Sequence, residues 1–302
     1  MDSSLVPILL LPRHFDTTSA NRPLLLSVQK TLNDSYSKTM CAHPEIFGTS
    51  YLRIADPDQL AETIGDVGFT VVLLRVHDQT TNNVERCRYA EVVATGSVKD
   101  FGNGAVEDYL TWSKAVTGTQ WKSAEGENHD GGKQGLRKKG DVVHKYEITA
   151  FGVAPNCQAA GLGARILKEI EWLVESDEIG PRLRYALREN APSVEDMVLV
   201  GTDKACPVQG IDLDRLRRHA AEGAVIDEHD KTVDVGSLGR PKLVLMAIRE
   251  TGNETYYHRR GFKTLWVATV PKEIQKFRML MKIQLSLDQQ DGYTDEWGTW
   301  FP

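Results

Sequence analysis

Apolar positions recur along this chain with two different periods, and the switches between them outline its elements. Leu5 to Leu11 is a short apolar run interrupted by Pro7, and it predicts a first strand. Pro23 opens a stretch in which Leu24, Leu25, Val28, Leu32 and Tyr36 repeat at i, i+3 and i+4, the spacing of one helix face. A second, shorter helix follows Asp56, with Asp58, Gln59 and Glu62 in its first turns and Gly65 near its end. The period then shortens. Phe69 to Val76 and Arg88 to Val98 are rich in β-branched residues and flank the polar run Asp78 to Asn83, which predicts a hairpin. Val142 to Val153 is a third β-patterned segment.

Beyond it, Gly161 to Ser176 carries the helical stripe Leu162, Ile166, Leu167, Ile170, Leu173 and Val174, a mark of core packing. Asp212 to Ala221 predicts a further helix inside an otherwise polar, irregular stretch. Lys242 to Ile248 reads as a buried strand, Gly252 to Arg260 as a short helix, and Phe262 to Val270 and Phe277 to Leu285 as two more strands. An aromatic tail with Trp297, Trp300 and Phe301 ends the chain, and docking on its own domain is the simplest expectation for it. Gly102 to Asp141 is rich in glycine and carries Lys133, Arg137, Lys138 and Lys139. It predicts a mobile surface loop with a short helix at Val106 to Ala115, and we assign it no site. With no repeat and no clear linker, we expect one α/β (α+β) domain over residues 1–302, with insertions at about 102–141 and 177–240 and a tail at 286–302.

Composition narrows the function classes. The chain has 302 residues, 41% of them hydrophobic and 26% charged, which places it among folded globular proteins. A net charge of -6 argues against a nucleic-acid partner, which calls for a basic excess, and points toward a small molecule. Cys41, Cys87, Cys157 and Cys206 form no Cys-x-x-Cys pair, so we read them as reduced thiols rather than metal ligands or a redox dithiol. The histidines, His258 among them, show no metal-ligand spacing, and no metal is expected. The Leu5–Leu11 run lacks a preceding basic region, and no apolar run is long enough to span a bilayer. We therefore expect a cytoplasmic protein with no membrane partner, and read the Asn-x-Ser/Thr triplets at Asn33 and Asn253 as chance.

The stretch Glu147-Ile-Thr-Ala-Phe-Gly-Val-Ala-Pro-Asn-Cys-Gln-Ala-Ala-Gly-Leu-Gly-Ala-Arg carries the chemistry. A strand runs into Pro155, turns, and enters a helix through Gln158-x-x-Gly161-x-Gly163. The first amides of a helix lack intrahelical partners and carry partial positive charge, so such an entry suits an anion such as a pyrophosphate. Glycines there let phosphate oxygens approach the backbone; a close-packed turn is the purely structural alternative. A P-loop is excluded because no Gly-Lys-Ser/Thr follows, and the dinucleotide fingerprint because its third glycine would be Ile166.

Val153 to Gly163 resembles motif A of the GNAT superfamily of N-acetyltransferases, approximately V-x-P-x-x-[QR]-x-x-G-x-[GA]. Downstream, Asn253-Glu-Thr-Tyr-Tyr257-His-Arg-Arg-Gly261-Phe262 resembles motif B, which ends in Tyr, three residues, then Gly-Phe. The resemblance covers residues 142–285 and implies a mixed, mostly antiparallel sheet flanked by helices that admits acetyl-CoA, with CoA as product. It implies that backbone groups of the Phe151-Gly152-Val153 strand end hold the pantetheine arm. The amides of Gln158, Ala159, Ala160, Gly161, Leu162, Gly163 and Ala164 would wrap the pyrophosphate. Asn253 and Tyr256 are further cofactor positions, although Asn253 lies closer to the tyrosine than the motif B asparagine does in many members.

Acetyl transfer to an amine needs a base, because an amine like a lysine side chain is unprotonated in only about one molecule in 2,500 at pH 7. Glu147 suits that role, being a carboxylate in an otherwise apolar strand, on the face of Thr149, Phe151 and Val153 by the two-residue period, eleven residues before Gln158. A buried ion pair is the alternative role for it. The leaving thiolate needs a proton, and the resemblance assigns this to Tyr257, whose alternative is a core aromatic beside Tyr256. Cys157 sits at the phosphate end and is read as structural. The expected activity is acetyl-CoA-dependent N-acetylation of a small amine in a ternary complex. A protein or peptide acetyltransferase and a non-catalytic CoA sensor are the alternatives.

Overall fold

A computed structural model describes residues 3–16, 20–44, 52–80, 86–102, 120–123, 145–175, 198–199, 208–221, 242–248, 253–269 and 297–301. In chain order the elements are β1 (Ser3–Leu10), α1 (Arg22–Ala42), α2 (Pro57–Ile64), β2 (Phe69–Thr80), β3 (Arg86–Gly102), β4 (Gln120–Ser123), β5 (Lys145–Val153), α3 (Leu162–Glu175), β6 (Val198–Leu199), β7 (Ile211–Asp212), α4 (Leu213–Ala221), β8 (Lys242–Ile248), α5 (Asn253–His258), β9 (Lys263–Thr269) and β10 (Trp297–Phe301). The fold is mixed α/β: β1 pairs antiparallel with β2 and β7, β2 with β3, β10 with β8 and β9, and β4 with β9, while β3 pairs parallel with β6. The chain divides into two compact units, Met1–Lys38, Leu52–Asp100 and Ile148–Val235 in one, and Thr39–Tyr51, Phe101–Glu147 and Gly236–Pro302 in the other.

In the first unit the predicted hairpin is present. β2 and β3 pair from Phe69↔Val98 to Thr80↔Arg86, with one irregularity between Leu73 and Leu74. β1 lies antiparallel on the other side of β2, and the strands run in the order β5-β3-β2-β1-β7. Pro7 falls where β7 does not reach, since β7 covers only Ile8 and Leu9; an edge tolerates a residue without an N–H. Leu24, Leu25, Val28 and Leu32 of α1 and Leu60 and Ile64 of α2 pack with Ile8, Leu10, Val72, Leu74 and Val92 in one core. The opposite face takes α3, which approaches closely because Gly96 has no side chain: a Cβ there would stand 2.6 Å from Ile166 Cγ2.

The capping signals behave as their chemistry demands. Asp56 accepts from the Asp58 amide at the start of α2, and Gly65, at φ 62°, ends it with its N–H on the Ala61 carbonyl. Asp212 accepts from the Arg215 amide at the start of α4. That helix, within the predicted insertion, is tied to α3: Arg217 bonds the buried Glu169, pairs with Asp214 at 3.2 Å and stacks 4.4 Å over Trp172. Asn21, fully buried, exchanges two 2.7 Å hydrogen bonds with the backbone of Gln209.

The second unit holds a four-stranded antiparallel sheet, β4-β9-β10-β8. Two of its strands depart from the sequence expectation. Gln120–Ser123 lies in the stretch expected to be a surface loop and pairs with β9. The aromatic tail is a strand inserted between β8 and β9, so the tail does dock on its own chain. The predicted helix at Val106 to Ala115, the strand at Phe277 to Leu285 and the basic cluster Lys133 to Lys139 lie outside the described residues. Among the described residues no helix is long and apolar enough to cross a membrane.

Candidate active site

In the first unit, β5 delivers the chain to the candidate phosphate cradle. The Ala154 amide bonds the Val93 carbonyl at 2.9 Å, holding the strand end against β3, and Pro155–Cys157 forms one 3-10 turn. Gln158, Ala159, Ala160 and Gly161 are then exposed to solvent. Two of the four have left-handed backbone, Ala159 at φ 66° and Gly161 at φ 76°. A Cβ at Gly161 would meet nothing within 4 Å, so the glycine serves the φ alone. Its carbonyl accepts the Arg165 amide at 3.1 Å, the first bond of the helix. The amides of Leu162, Gly163 and Ala164 therefore have no helical carbonyl behind them, and they head the helix where its dipole is positive. Gly163, by contrast, is buried in the first turn.

The turn is supported from beneath. Cys157 is buried, its sulfur accepts from Arg75 Nη2, and it donates to Asn156 Oδ1 at 3.2 Å. Arg75 faces Glu91 across β2 and β3, 3.5 Å away. Sequence reasoning did not pick out Arg75, although a single cation inside the apolar Phe69–Val76 run was a signal that something polar lay opposite it. Gly152 is a close-approach glycine: a Cβ there would collide with Ser35 Oγ and stand 3.2 Å from Leu32 Cδ2, so α1 lies directly on β5. Phe151 points to the opposite face, its ring against Gly96 beside Ile166.

Glu147 is 4% exposed and engaged in polar contact, and the chain passes from the second unit to the first between Glu147 and Ile148. Strict alternation would put Glu147 on the face of Phe151, but it is interrupted at Ala150, whose φ is 41°. A left-handed residue inside a strand resets the alternation, so period alone does not carry a side-chain direction from 151 back to 147.

In the second unit, the Tyr-x-x-x-Gly-Phe spacing has a complete local cause. The Phe262 amide bonds the Tyr257 carbonyl at 3.3 Å and the Gly261 amide bonds the His258 carbonyl at 3.0 Å, with Gly261 at φ 86°. This is a Schellman stop, and its usual apolar contact is the edge-on packing of Tyr257 against Phe262, ring centres 5.9 Å apart. Tyr256 meets Tyr257 edge-on at 5.1 Å. Burial pushes the Tyr256 phenol above its ordinary pKa, with the Arg260 charge acting in the opposite direction. Arg260 lies 3.5 Å over the Tyr256 ring, an i, i+4 pairing that the sequence spacing carried and that we did not single out. Asn253 is exposed at the start of α5.

No family model matches this chain, and no curated protein matches it. Among solved structures it is similar to a crystal structure of Arabidopsis thaliana NAA60 in complex with acetyl-CoA, at 10% identity and a TM-score of 0.34 over 100% of this chain and 98% of that one.

Proposed function

We propose that this protein is an acetyl-CoA-dependent N-acetyltransferase acting on a small amine. The observation that supports it best is the Gln158–Gly161 turn: solvent-exposed, left-handed at two residues, and opening onto three helix-head amides inside a motif A sequence. That arrangement fits a pyrophosphate, which needs backbone donors with no side chain in front of them. In this reading the amides of Gln158 to Ala164 hold the diphosphate, and backbone groups of Phe151 and Val153 hold the pantetheine arm. The acetyl thioester supplies an activated acyl group. Glu147 takes a proton from the acceptor amine, directly or through a water, and Tyr257 holds or protonates the leaving sulfur. Asn253 and Tyr256 contribute to the donor site. The net negative charge favours a cationic acceptor.

Calorimetric titration with CoA and acetyl-CoA tests the reading. Ala160→Glu is the informative variant, because residue 160 is exposed and outside the left-handed positions, whereas a side chain at the buried Gly163 would disturb the helix itself. Binding by wild type that falls at least tenfold in a still-folded Ala160→Glu supports the cradle. Absence of binding to wild type overturns the function. A panel of amines and peptides then separates a small-molecule enzyme from a peptide acetyltransferase, and donor binding without turnover on either favours the sensor.

A further inference from the structure

Arg75 is a cation between apolar neighbours, and they set its direction in the fold. Leu74 and Val76 belong to the core that α1 and α2 cover, so Arg75 stands on the opposite face of β2, the face of α3. Glu91 stands opposite it on β3, likewise between two residues of the first core, Ala90 and Val92. The two charges are 3.5 Å apart with side chains 28% and 34% exposed, and an ion pair that open adds little to stability. The second contact of Arg75 is more specific: Nη2 donates to the buried Cys157 sulfur. Cys157 is the first residue of a turn with type II backbone, in which Gln158 at φ -62°, ψ 155° and Ala159 at φ 66° take the two central positions. The second centre of such a turn prefers glycine, and an alanine stays there only where the surroundings hold the turn. Cys157 is held three times: its amide bonds the Ala154 carbonyl at 2.8 Å, its sulfur bonds Asn156 Oδ1 at 3.2 Å, and Arg75 bonds the sulfur. The first two holds come from the same short segment; Arg75 ties it to the sheet.

We propose that Arg75 is a positioning residue of the cradle: by holding the Cys157 sulfur it fixes where the Gln158–Gly161 turn stands on the sheet. A turn displaced at Cys157 carries its other residues along, because only four residues separate Cys157 from Leu162 at the head of α3. Donor amides must lie within hydrogen-bond reach of the phosphate oxygens, so a displacement of about 1 Å weakens their grip. A diphosphate is held equally before and during acetyl transfer, so the loss falls on KM for the donor and leaves kcat unchanged. The ligand rests on the acetyltransferase reading; the hold on the turn does not.

Two measurements on the whole protein test this role, calorimetric titration with CoA and the nitrogen-15 amide spectrum of Gln158 to Ala164 without ligand. Arg75→Met is expected to weaken CoA binding about fivefold to tenfold, the effect of one lost hydrogen bond from a charged donor, and to move those ligand-free resonances. Cys157→Ala breaks the same contact from the other end, with the same expected effects, and carries the test where Arg75→Met does not fold. Cys157→Ser keeps an acceptor for Arg75 and is expected to bind CoA within about twofold of wild type. The double variant Arg75→Met, Cys157→Ala is expected to bind no more weakly than either single one, because both break one contact. Additive losses, or a loss in Arg75→Met that Cys157→Ala does not share, place Arg75 in the pair with Glu91 alone and overturn the role. Unmoved amides together with wild-type affinity overturn it as well. If wild type binds no CoA while the amides move alike in both single variants, the positioning stands and the acetyltransferase reading falls.

Discussion

The Gln158–Gly161 turn and the Tyr257–Phe262 turn each hinge on a left-handed glycine with open space around it, Gly161 at φ 76° and Gly261 at φ 86°, yet they do opposite things. Gly161 opens the head of α3 and leaves its first amides without helical carbonyl partners beside an exposed turn. Gly261 closes the tail of α5: its own amide and that of Phe262 return to the His258 and Tyr257 carbonyls, and the Tyr257 ring packs on Phe262. A helix head presents donors and a helix tail presents acceptors, so only the first can take an anion through its backbone. Whatever chemistry the second turn has must come from its side chains, Tyr256, Tyr257 and Arg260. A glycine signature therefore says where the backbone turns left-handed, and the end of the helix it sits at says what the turn can bind.

The largest effect expected from breaking this contrast is at Phe262. It is 2% exposed, and Phe262→Ala removes the apolar half of the helix stop, costing about 3 to 4 kcal/mol in a denaturant titration. Close behind is Gly152→Val, which forces α1 away from β5 and is expected to cost about 3 kcal/mol and weaken CoA binding. Replacing Ser35 by Ala alongside it should recover part of that loss. Tyr257→Phe keeps the ring that packs on Phe262 and removes only the hydroxyl. Unchanged stability with kcat reduced about 100-fold separates chemistry from capping; unchanged kcat would leave the residue with capping alone.

A pH titration sharpens the comparison from the side of the first unit. His14 accepts the Leu11 amide at 2.9 Å, and burial together with the Arg13 charge lowers its pKa from 6.5 to about 4. The unfolded chain takes up this proton near 6.5 and the folded chain only near 4, so stability is intact above the first value and is lost as pH falls toward the second. The expected loss is about 2 kcal/mol, below the full pKa difference because the ring keeps some water. His14→Gln should flatten the acid limb of Tm against pH. The smallest effect is the most discriminating: Gly161→Ala and Gly261→Ala each cost about 1 kcal/mol from φ alone. Equal losses of stability with unequal losses of CoA affinity, larger for Gly161, are the expected pair; equal losses of both would put the two turns in one class.

Much of this was legible along the chain because its causes are local. The β2–β3 hairpin, the α1 and α3 stripes, the Asp56 cap and the helix after Asp212 each follow from residues a few positions apart. Four residues with one aromatic, Gln120–Ser123, are too short to show a period, and so β4 passed as loop. The left-handed alanines, Ala150 and Ala159, were invisible for a different reason, since alanine carries no preference for positive φ and the surrounding structure imposes it. Sequence reasoning could place Glu147 in a strand but not aim it, because the alternation it relied on breaks at Ala150.

The sequence by itself determined where the chain turns, which faces are apolar, and that a helix head opens after Gln158, because caps, glycines and hydrophobic periods act within a few residues. Only the tertiary structure decided that the tail strand enters between β8 and β9, that Asn21 grips Gln209 across 188 positions, that Arg75 lies under the turn before α3, and that the Arg260 guanidinium stacks on Tyr256. Those pairings join residues with no local relation to one another. Hydrogen-bond satisfaction and close packing settle them only once the whole chain has folded.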